Sequence, residues 1–281
     1  ADHPETDYAM YCCDIVNFKV VNEKYGTAVG DELLRFVASN CERIAEETGG
    51  FSGRIGADTF ALLRQKSEMR SQEAFGSMIA EGMKDAPVKN IDLKFGVYMI
   101  IDRTLPPSAM YDRALLAMDA VKHKYAVSYG VYDESLRERM MRDHMLSDAM
   151  ERGLSEKQFQ VYLQPKHDVN TGEIAGAEAL VRWVHPEMGF ISPGEFIPLF
   201  ERNGFIVKLD HYMWEAVCAL QHKWLAEGRR MFPISVNASR ADFNTGNLAK
   251  DICELTDQYD VPHELFHLEV TESAYTDKPQ Q

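Results

Sequence analysis

The apolar positions of the first half of the chain alternate between strand-like and helix-like patterns. Residues 8–14 form a short apolar run that ends in Asp14, which is typical of a buried strand. From Thr27 onward, apolar residues recur at steps of three and four, which predicts a helix that ends before Gly49 and Gly50. The later strands are predicted at 51–55, 60–63 and 93–101, and the later helices at 72–84 and 108–125. The resulting order, β-α-β-β-α-β with a further helix, predicts a ferredoxin-like fold.

The pattern changes in the second half. Residues 134–153 carry charged and methionine positions without a glycine until Gly153, which predicts an amphipathic helix that connects two domains or opens the second one. Strand-like and helix-like segments then alternate, which is typical of parallel β/α units. The predicted strands are 160–164, 174–183, 234–237 and 265–270, and the predicted helices are 193–204, 207–227 and 247–259. A complete (β/α)₈ barrel needs ~250 residues, so we expect only the first half of one.

These patterns predict an α/β protein with domains at 1–133 and 156–281, joined by a linker helix at 134–155. The 281 residues include 45% hydrophobic and 26% charged residues, as in globular proteins, which excludes a disordered chain. The net charge is −14 and both halves are acidic, so we expect no binding to nucleic-acid polymers through their backbone charge.

Localisation is predicted from what the sequence lacks. No apolar run approaches the ~18 residues of a membrane span, and the five cysteines show no C-x-x-C spacing. We therefore expect a cytoplasmic protein in a reducing compartment. The chain does not begin with Met, so we also expect it to be a piece of a longer protein that could carry sensory or membrane segments elsewhere.

Carboxylates at the ends of neighbouring strands indicate a first candidate site. Asp14 ends the first strand and Asp58 lies in the turn of the predicted hairpin, so the two could share Mg²⁺, which prefers oxygen ligands. Between them, a polar stretch with glycines and Lys19 could offer N–H groups and an ammonium to phosphates. An ordinary strand–loop–helix with polar surface residues has the same spacing, so both interpretations stay open.

The segments DIVNFKVVNEKYGTAVGDELL and RIGADTFALL resemble the GGDEF domain of diguanylate cyclases, over about residues 8–134. By this resemblance, two aspartates would bind a metal ion, an asparagine and an aspartate would contact guanine, and two lysines would contact phosphates. The implied metal-binding aspartates are Asp14 and Asp58. The implied guanine contacts are Asn22 and Asp31, and the implied phosphate contacts are Lys19 and Lys122.

Four positions depart from the GGDEF pattern. In the signature, Thr59 replaces the glutamate and Ala57 replaces the second glycine. Elsewhere, Val16 replaces an aspartate and Thr27 replaces a histidine. The loss of a carboxylate removes charge compensation or a proton acceptor from a phosphoryl-transfer site. The Cβ of Ala57 also crowds a backbone that must approach the nucleotide closely. We therefore expect no cyclase activity, while retained GTP binding and a purely structural or dimerising role both stay open.

Polar residues also end three strands of the second half. Glu178, Asn237 and Glu269 are separated by 59 and 32 residues, and the strand ends of a parallel barrel open on one face, where catalytic residues collect. Two carboxylates and an amide favour Mg²⁺ or Mn²⁺ over zinc. A zinc site at His263 and His267 is a weaker alternative, because no further Cys or His pair completes it. Any one of these residues alone could be an ordinary strand-capping group.

The sequences YLQPKHDVNTGEIAGAEALVRW, SVNAS and LEVTES, in this order, resemble the start of an EAL phosphodiesterase domain over about residues 156–276. The resemblance implies three metal ligands, three contacts to the dinucleotide and one catalytic residue that couples a dimer loop to the site. The implied metal ligands are Glu178, Asn237 and Glu269. The implied contacts to the dinucleotide are Gln164, Leu180 and Arg182, of which Arg182 contacts a phosphate. The implied coupling residue is Glu272.

This second resemblance implies hydrolysis of cyclic di-GMP to linear pGpG. Two Mg²⁺ or Mn²⁺ ions would lower the pKa of a bridging water, and the hydroxide would attack a phosphodiester in line. The family's later aspartate pair, lysine and glutamate would lie beyond Gln281, so we expect the parent to be active and the 281-residue piece to be inactive. We also expect a homodimer in which the inactive GGDEF half regulates hydrolysis, with GTP as an allosteric ligand. The alternative is a non-catalytic receptor or scaffold for cyclic di-GMP or GTP that acts through protein partners.

Overall fold

The computed structural model describes residues 6–66, 71–122, 124, 126–243 and 246–270. The chain divides into two compact units at Met140 and Met141. None of the helices in these described ranges has the length and hydrophobicity that a membrane crossing requires.

The first unit contains a five-stranded sheet with the strand order β2-β3-β1-β4-β5. Its elements are β1 (Tyr8–Ile15), α1 (Phe18–Tyr25), α2 (Thr27–Glu47), β2 (Phe51–Arg54), β3 (Thr59–Gln65), α3 (Gln72–Gly82), β4 (Leu93–Met99), α4 (Pro107–Asp119) and β5 (Tyr129–Val131). Strand β1 pairs antiparallel with both β3 and β4. The predicted ferredoxin-like order is therefore confirmed, with α1 and β5 as elements that the sequence pattern did not predict.

Strand β1 is apolar except for Asp14, because both of its faces are covered. Side chains alternate between the two faces of a strand. Ala9 and Tyr11 pack in one hydrophobic cluster with residues of α2 and α3, and Met10 and Cys12 pack in another with residues of α4. Asp14 follows the alternation of Met10 and Cys12, so its carboxylate lies on the α4 side of the sheet.

Helix α5 (Glu134–Ser155) confirms the helix that was predicted over 134–153, and it extends across the division between the two units. In the second unit, the buried Leu146 of this helix packs in a cluster with Phe159 and Trp183. A Cβ at Gly153 would come within 2.9 Å of the Phe159 ring, so the close packing of the helix end requires a glycine there. The function of α5 as a linker between domains at 1–133 and 156–281 stays a prediction.

The second unit contains a sheet with the order β10-β9-β7-β6, and β8 pairs with β7. Its further elements are β6 (Phe159–His167), β7 (Ile174–His185), β8 (Gly189–Ile191), α6 (Pro193–Asn203), α7 (Ile206–Ala226), β9 (Ile234–Ala238), α8 (Arg240–Phe243), α9 (Leu248–Gln258) and β10 (Phe266–Val270). Strands β7, β9 and β10 are parallel, as predicted for β/α units. The molecule is thus an α/β protein in which a ferredoxin-like unit precedes part of a TIM-type barrel.

Strand β6 differs from the parallel pattern, since it pairs antiparallel with β7. The two strands are joined by a tight turn instead of a helix, and a parallel pair would need a longer crossover. Asp168 stabilises this turn, because its carboxylate accepts hydrogen bonds from the N–H groups of Asn170 and Thr171 at 2.8 and 2.9 Å.

Candidate functional site

Six of the residues predicted for a site in the second unit lie on one face of its sheet. Cross-strand partners share a face, and so do residues two apart on one strand. Glu178 of β7 pairs with Gln164 of β6 and with Ser235 of β9, and Asn237 of β9 pairs with Glu269 of β10. The residues on this face, which we call the polar face, include Gln164, Lys166, Glu178, Leu180, Arg182, Ser235, Asn237 and Glu269.

The opposite face of the same sheet is apolar and covered by helices. Ala179, Val236 and Phe266 are buried there in a cluster that includes Trp214 of α7. Burial of these side chains fixes the register, because a shift by one residue would turn every side chain to the other face. The hydrophobic core therefore determines which residues the polar face displays.

Asn237 and Glu178 are in direct contact. The Nδ2 group of Asn237 donates a hydrogen bond to Oε1 of Glu178 at 3.2 Å. The main-chain carbonyl of Asn237 accepts a hydrogen bond from the indole N–H of Trp214 at 3.0 Å, which ties this part of β9 to α7. Two residues that lie 59 positions apart in the sequence are thus held together by the sheet and the helix beneath it.

Glu269 is in contact with Lys166, a residue that the sequence analysis missed. The ammonium of Lys166 pairs with the Glu269 carboxylate and donates a hydrogen bond to Oγ of Ser235 at 2.7 Å. The hydrogen bond from Lys166 is the main reason that the pKa of Glu269 lies below its ordinary value. The spacing of Lys166, two residues after Gln164 on a strand, was the signal that could have placed it on this face.

Arg182 lies further along the polar face. Its guanidinium carbon is 5.8 Å from the centre of the Tyr162 ring, within the range of a cation–π contact, and its Nη1 group donates to the carbonyl of Val181 at 2.9 Å. Tyr162 pairs across the strands with Leu180. Together these residues offer a cation, an aromatic ring and an apolar side chain on the same face as Glu178. Glu272, the last residue predicted for this site, lies outside the described residues.

In the first unit, the predicted residues Asp14 and Lys122 are in contact. Nζ of Lys122 lies 2.8 Å from Oδ2 of Asp14, whose side chain is only 5% exposed. Thr59 is the cross-strand partner of Asp14, and its hydroxyl donates to Oδ1 of Asp14 at 3.4 Å. The hydrogen bond to Asp14 raises the pKa of Lys122, and the charge of Asp58 contributes to the same shift. Asp14, Asp58 and Lys122 therefore form one electrostatic group.

The other three residues predicted for this site lie on the helices that follow β1. Asn22 belongs to α1, a helix where the sequence indicated a polar loop, and a Cβ at Gly30 of α2 would lie 1.9 Å from its Oδ1 atom. A glycine at position 30 therefore allows the Asn22 side chain to lie against α2. Asp31 is exposed on α2, and Lys19 is exposed on α1 with its ammonium 3.8 Å from Glu23.

Two family models match the chain. The first, described as "Diguanylate cyclase, GGDEF domain", matches residues 1–126, and the second, described as "EAL domain", matches residues 146–281. The chain is a GGDEF domain followed by an EAL domain. The first unit is therefore the GGDEF domain, and the polar face belongs to the EAL domain.

The chain is also similar to curated bacterial proteins. It is 28% identical to the bifunctional diguanylate cyclase/cyclic di-GMP phosphodiesterase MucR of Pseudomonas aeruginosa, over 95% of this chain and 40% of the relative. It is 29% identical to a cyclic di-GMP phosphodiesterase of the same organism, over 83% of this chain and 41% of the relative. The solved structure "PaMucR Phosphodiesterase, c-di-GMP complex" is 32% identical over 47% of this chain and 54% of that chain, with a TM-score of 0.45. The chain spans less than half the length of these two curated relatives.

The donor atoms on the polar face of the EAL domain fit a hard divalent cation. Glu178, Asn237 and Glu269 lie on three neighbouring strands, and all three offer oxygen atoms, which Mg²⁺ and Mn²⁺ prefer. Among the described residues, no three His, Cys, Asp or Glu side chains form a group that could hold a metal ion, so the set depends on the amide oxygen of Asn237. The zinc alternative at His263 and His267 has no support, since neither belongs to a group of three such side chains in the described part of the chain.

The GGDEF domain is less suited to a cation at Asp14. The ammonium of Lys122 already neutralises this carboxylate, and the residue opposite it is Thr59 instead of an acid. A metal ion would have to displace the lysine and would gain only the carboxylate of Asp58 as a second charge. The arrangement disfavours a metal here, and ligation by Asp14 and Asp58 stays a prediction.

Proposed function

We propose that the EAL domain binds cyclic di-GMP and that the whole protein hydrolyses one of its phosphodiester bonds to give linear pGpG. The observation that carries the proposal is the composition of the polar face. Two carboxylates and an amide, Glu178, Glu269 and Asn237, lie on adjacent strands, and Arg182 lies on the same face. Arg182 can bind an anionic phosphate while the carboxylates provide a site for a divalent cation.

Each residue has a distinct part in this proposal. Arg182 binds and orients a phosphate of the dinucleotide, and its contact with Tyr162 keeps the guanidinium on the polar face. Gln164, the cross-strand partner of Glu178, and Leu180, two residues further along β7, contact the rest of the ligand. Glu178, Asn237 and Glu269 hold the divalent cation, Mg²⁺ or Mn²⁺. When bound, the cation supplies the positive charge that activates water and stabilises the charge developing on the phosphate.

The decisive experiment uses the full-length protein. It would be incubated with cyclic di-GMP and Mg²⁺ or Mn²⁺, and pGpG would be detected by chromatography. Glu178→Ala removes a predicted metal ligand, and Glu173→Ala is the matched control, because Glu173 pairs with Arg230 before β7 begins. We expect product from the full-length protein and the control, and none from Glu178→Ala.

The other outcomes have clear meanings. Metal-dependent binding of cyclic di-GMP without product would contradict the phosphodiesterase and support the non-catalytic receptor. The absence of both binding and product would contradict the proposed ligand. Product from Glu178→Ala at the rate of the full-length protein would contradict the assignment of the site.

We further propose that the GGDEF domain does not synthesise cyclic di-GMP and instead regulates the EAL domain, with GTP as its ligand. Asn22 and Asp31 are retained, and Oδ1 of Asn22 is buried without a hydrogen-bond partner among the described residues. Calorimetric titration with GTP, with ATP as the control nucleotide, tests this proposal. Binding of GTP that Asn22→Ala abolishes supports it, and an unchanged rate of hydrolysis in the presence of GTP contradicts the regulatory role.

Three further expectations belong to the same proposal: a homodimer, a cytoplasmic location, and a role for Glu272 in coupling the dimer to the site. Light scattering of the purified full-length protein tests the first. A Glu272→Ala variant that stays dimeric and fully active would contradict the coupling role of Glu272.

A further inference from the structure

The ammonium group of Lys166 lies between two residues of the polar face. It pairs with the carboxylate of Glu269 and donates a hydrogen bond to Oγ of Ser235 at 2.7 Å. Ser235 is buried, and its hydroxyl donates to the carbonyl of Ala177 at 3.2 Å, so the acceptor of Lys166 is fixed to the sheet. A positive charge is thus positioned at the carboxylate that the proposed metal ion would use.

This ion pair is less exposed than the Lys208–Glu151 pair of the same domain. Lys208 pairs with Glu151 on the outer helices, and both of their side chains are about 60% exposed. Lys166 is 47% exposed and Glu269 39%, and both lie on neighbouring parts of the polar face. Within the described residues, the pair formed by Lys166 is the one that engages a predicted metal ligand of the EAL domain.

We propose that Lys166 acts as a resident counter-ion of Glu269, which a divalent cation must displace in order to bind. The inference rests on the proposed metal site. An ammonium and a divalent cation compete for the same carboxylate oxygens, and they repel each other when both are nearby. Lys166 therefore keeps the Glu269 carboxylate at the site in the absence of metal, and it lowers the affinity of the site for the metal.

The test measures metal affinity directly, without any enzymatic reaction. Mn²⁺ is titrated into the 281-residue chain, and free Mn²⁺ is measured by electron paramagnetic resonance. We expect Lys166→Gln to bind Mn²⁺ roughly fivefold more tightly, the scale of breaking one half-exposed ion pair. Lys166→Arg keeps the positive charge and should bind like the unaltered chain. Lys208→Gln is the matched control, because it removes the same charge and the same kind of ion pair away from the polar face.

The outcomes separate this inference from the proposed function. Unchanged or weaker Mn²⁺ binding by Lys166→Gln, with its circular dichroism intact, would overturn the inference while the metal site stands. Equal tightening by Lys208→Gln would also overturn it, since the effect would then be one of net charge. If Glu269→Gln binds Mn²⁺ as the unaltered chain does, or if no form binds it, the metal site of the proposed function fails, and the inference fails with it.

Discussion

Lys122 and Asp14 form an ion pair of 2.8 Å at the end of the central strand of the GGDEF domain. The carboxylate is almost fully buried, whereas the ammonium is about one-third exposed. The lysine thus supplies the charge compensation for an acid that lies between Cys12 and the polar turn at the end of β1. Lys122, which the family resemblance assigns to phosphate binding, thus has a structural role in this chain.

We expect Lys122→Ala to destabilise the GGDEF domain by about 1–3 kcal/mol, because a buried carboxylate without its partner is costly. Urea unfolding followed by far-ultraviolet circular dichroism measures the change. Lys19→Ala is the control, since Lys19 is exposed and its pair with Glu23 is loose. Adding Asp14→Asn to Lys122→Ala should recover most of the loss. If Lys122→Ala unfolds at the same urea concentration as the control, the ion pair has no stabilising effect.

The fold was largely predictable because the hydrophobic pattern determined it. The alternation in β1 and the helical spacing after Thr27 are visible in the sequence, and the parallel strands from β7 onward follow from their helical connections. Helix α1 was missed because its eight residues bury only Phe18 and Val21, too few for a periodic pattern. Strand β6 was predicted, but its antiparallel direction was not, because that direction depends on the short turn at Asp168.

The site was predictable only in part. Motif order identified Glu178, Asn237 and Glu269, and the register brings them together on one face. The pairing of Lys166 with Glu269 joins residues 103 positions apart, so it depends on the strand order and not on local spacing. The same holds for Lys122 and Asp14, whose contact required the packing of α4 against the sheet.

Restoring the signature glutamate tests how far the GGDEF site has departed from an active one. Thr59 lies directly opposite Asp14, so Thr59→Glu with Ala57→Gly adds a carboxylate next to the existing one. We expect this variant to bind Mn²⁺ but to form cyclic di-GMP from GTP only when Val16→Asp is added. Thr59→Gln with Ala57→Gly is the matched control, as it has the same size without the charge. Cyclase activity in the double variant would show that Val16 is no obstacle.

The packing of α4 against β4 predicts a severe effect of one methyl group. A Cβ at Gly96 would lie 1.8 Å from the carbonyl oxygen of Ala114 and 2.5 Å from the N–H nitrogen of Met118, both backbone atoms that cannot turn aside. We expect Gly96→Ala to destabilise the GGDEF domain by more than about 2 kcal/mol in urea unfolding. Gly53→Ala, where no atom lies within 4 Å of the added Cβ, is the control and should unfold near the unaltered chain. Equal stability of the two variants would contradict the close packing.

Two buried carboxyl groups, Asp210 of α7 and Asp242 of α8, meet at Ser239, directly after the end of the strand that carries Asn237. Asp210 and Asp242 both accept a hydrogen bond from the main-chain N–H of Ser239, at 3.2 and 2.7 Å, and the Ser239 hydroxyl also donates to Asp242 at 2.6 Å. Burial is the main cause that raises the pKa of Asp210 to about 8, and the hydrogen bond with Asp242 adds to it. We therefore expect Asp210 to be protonated in the folded protein at neutral pH.

This protonation makes the stability of the EAL domain depend on pH. An unfolded aspartate has a pKa of about 4, so between pH 4 and 8 the folded state holds a proton that the unfolded state has lost. The free energy of unfolding should therefore fall as the pH rises through this range, by on the order of 1.4 kcal/mol for each pH unit. All three tryptophans lie in this domain, so their fluorescence during urea unfolding at pH 5, 7 and 9 measures the effect.

Asp210→Asn keeps the size and the hydrogen-bonding capacity of the protonated group and cannot ionise. We expect this variant to unfold at nearly the same urea concentration at pH 7 and pH 9, and to be more stable than the unaltered chain at pH 9. Glu254→Gln, at an exposed acid that pairs with Lys250, should leave the pH dependence unchanged. A pH profile that Asp210→Asn does not flatten would mean that Asp210 is already ionised in the folded domain, with its carboxylate stabilised by the main-chain N–H group of Ser239.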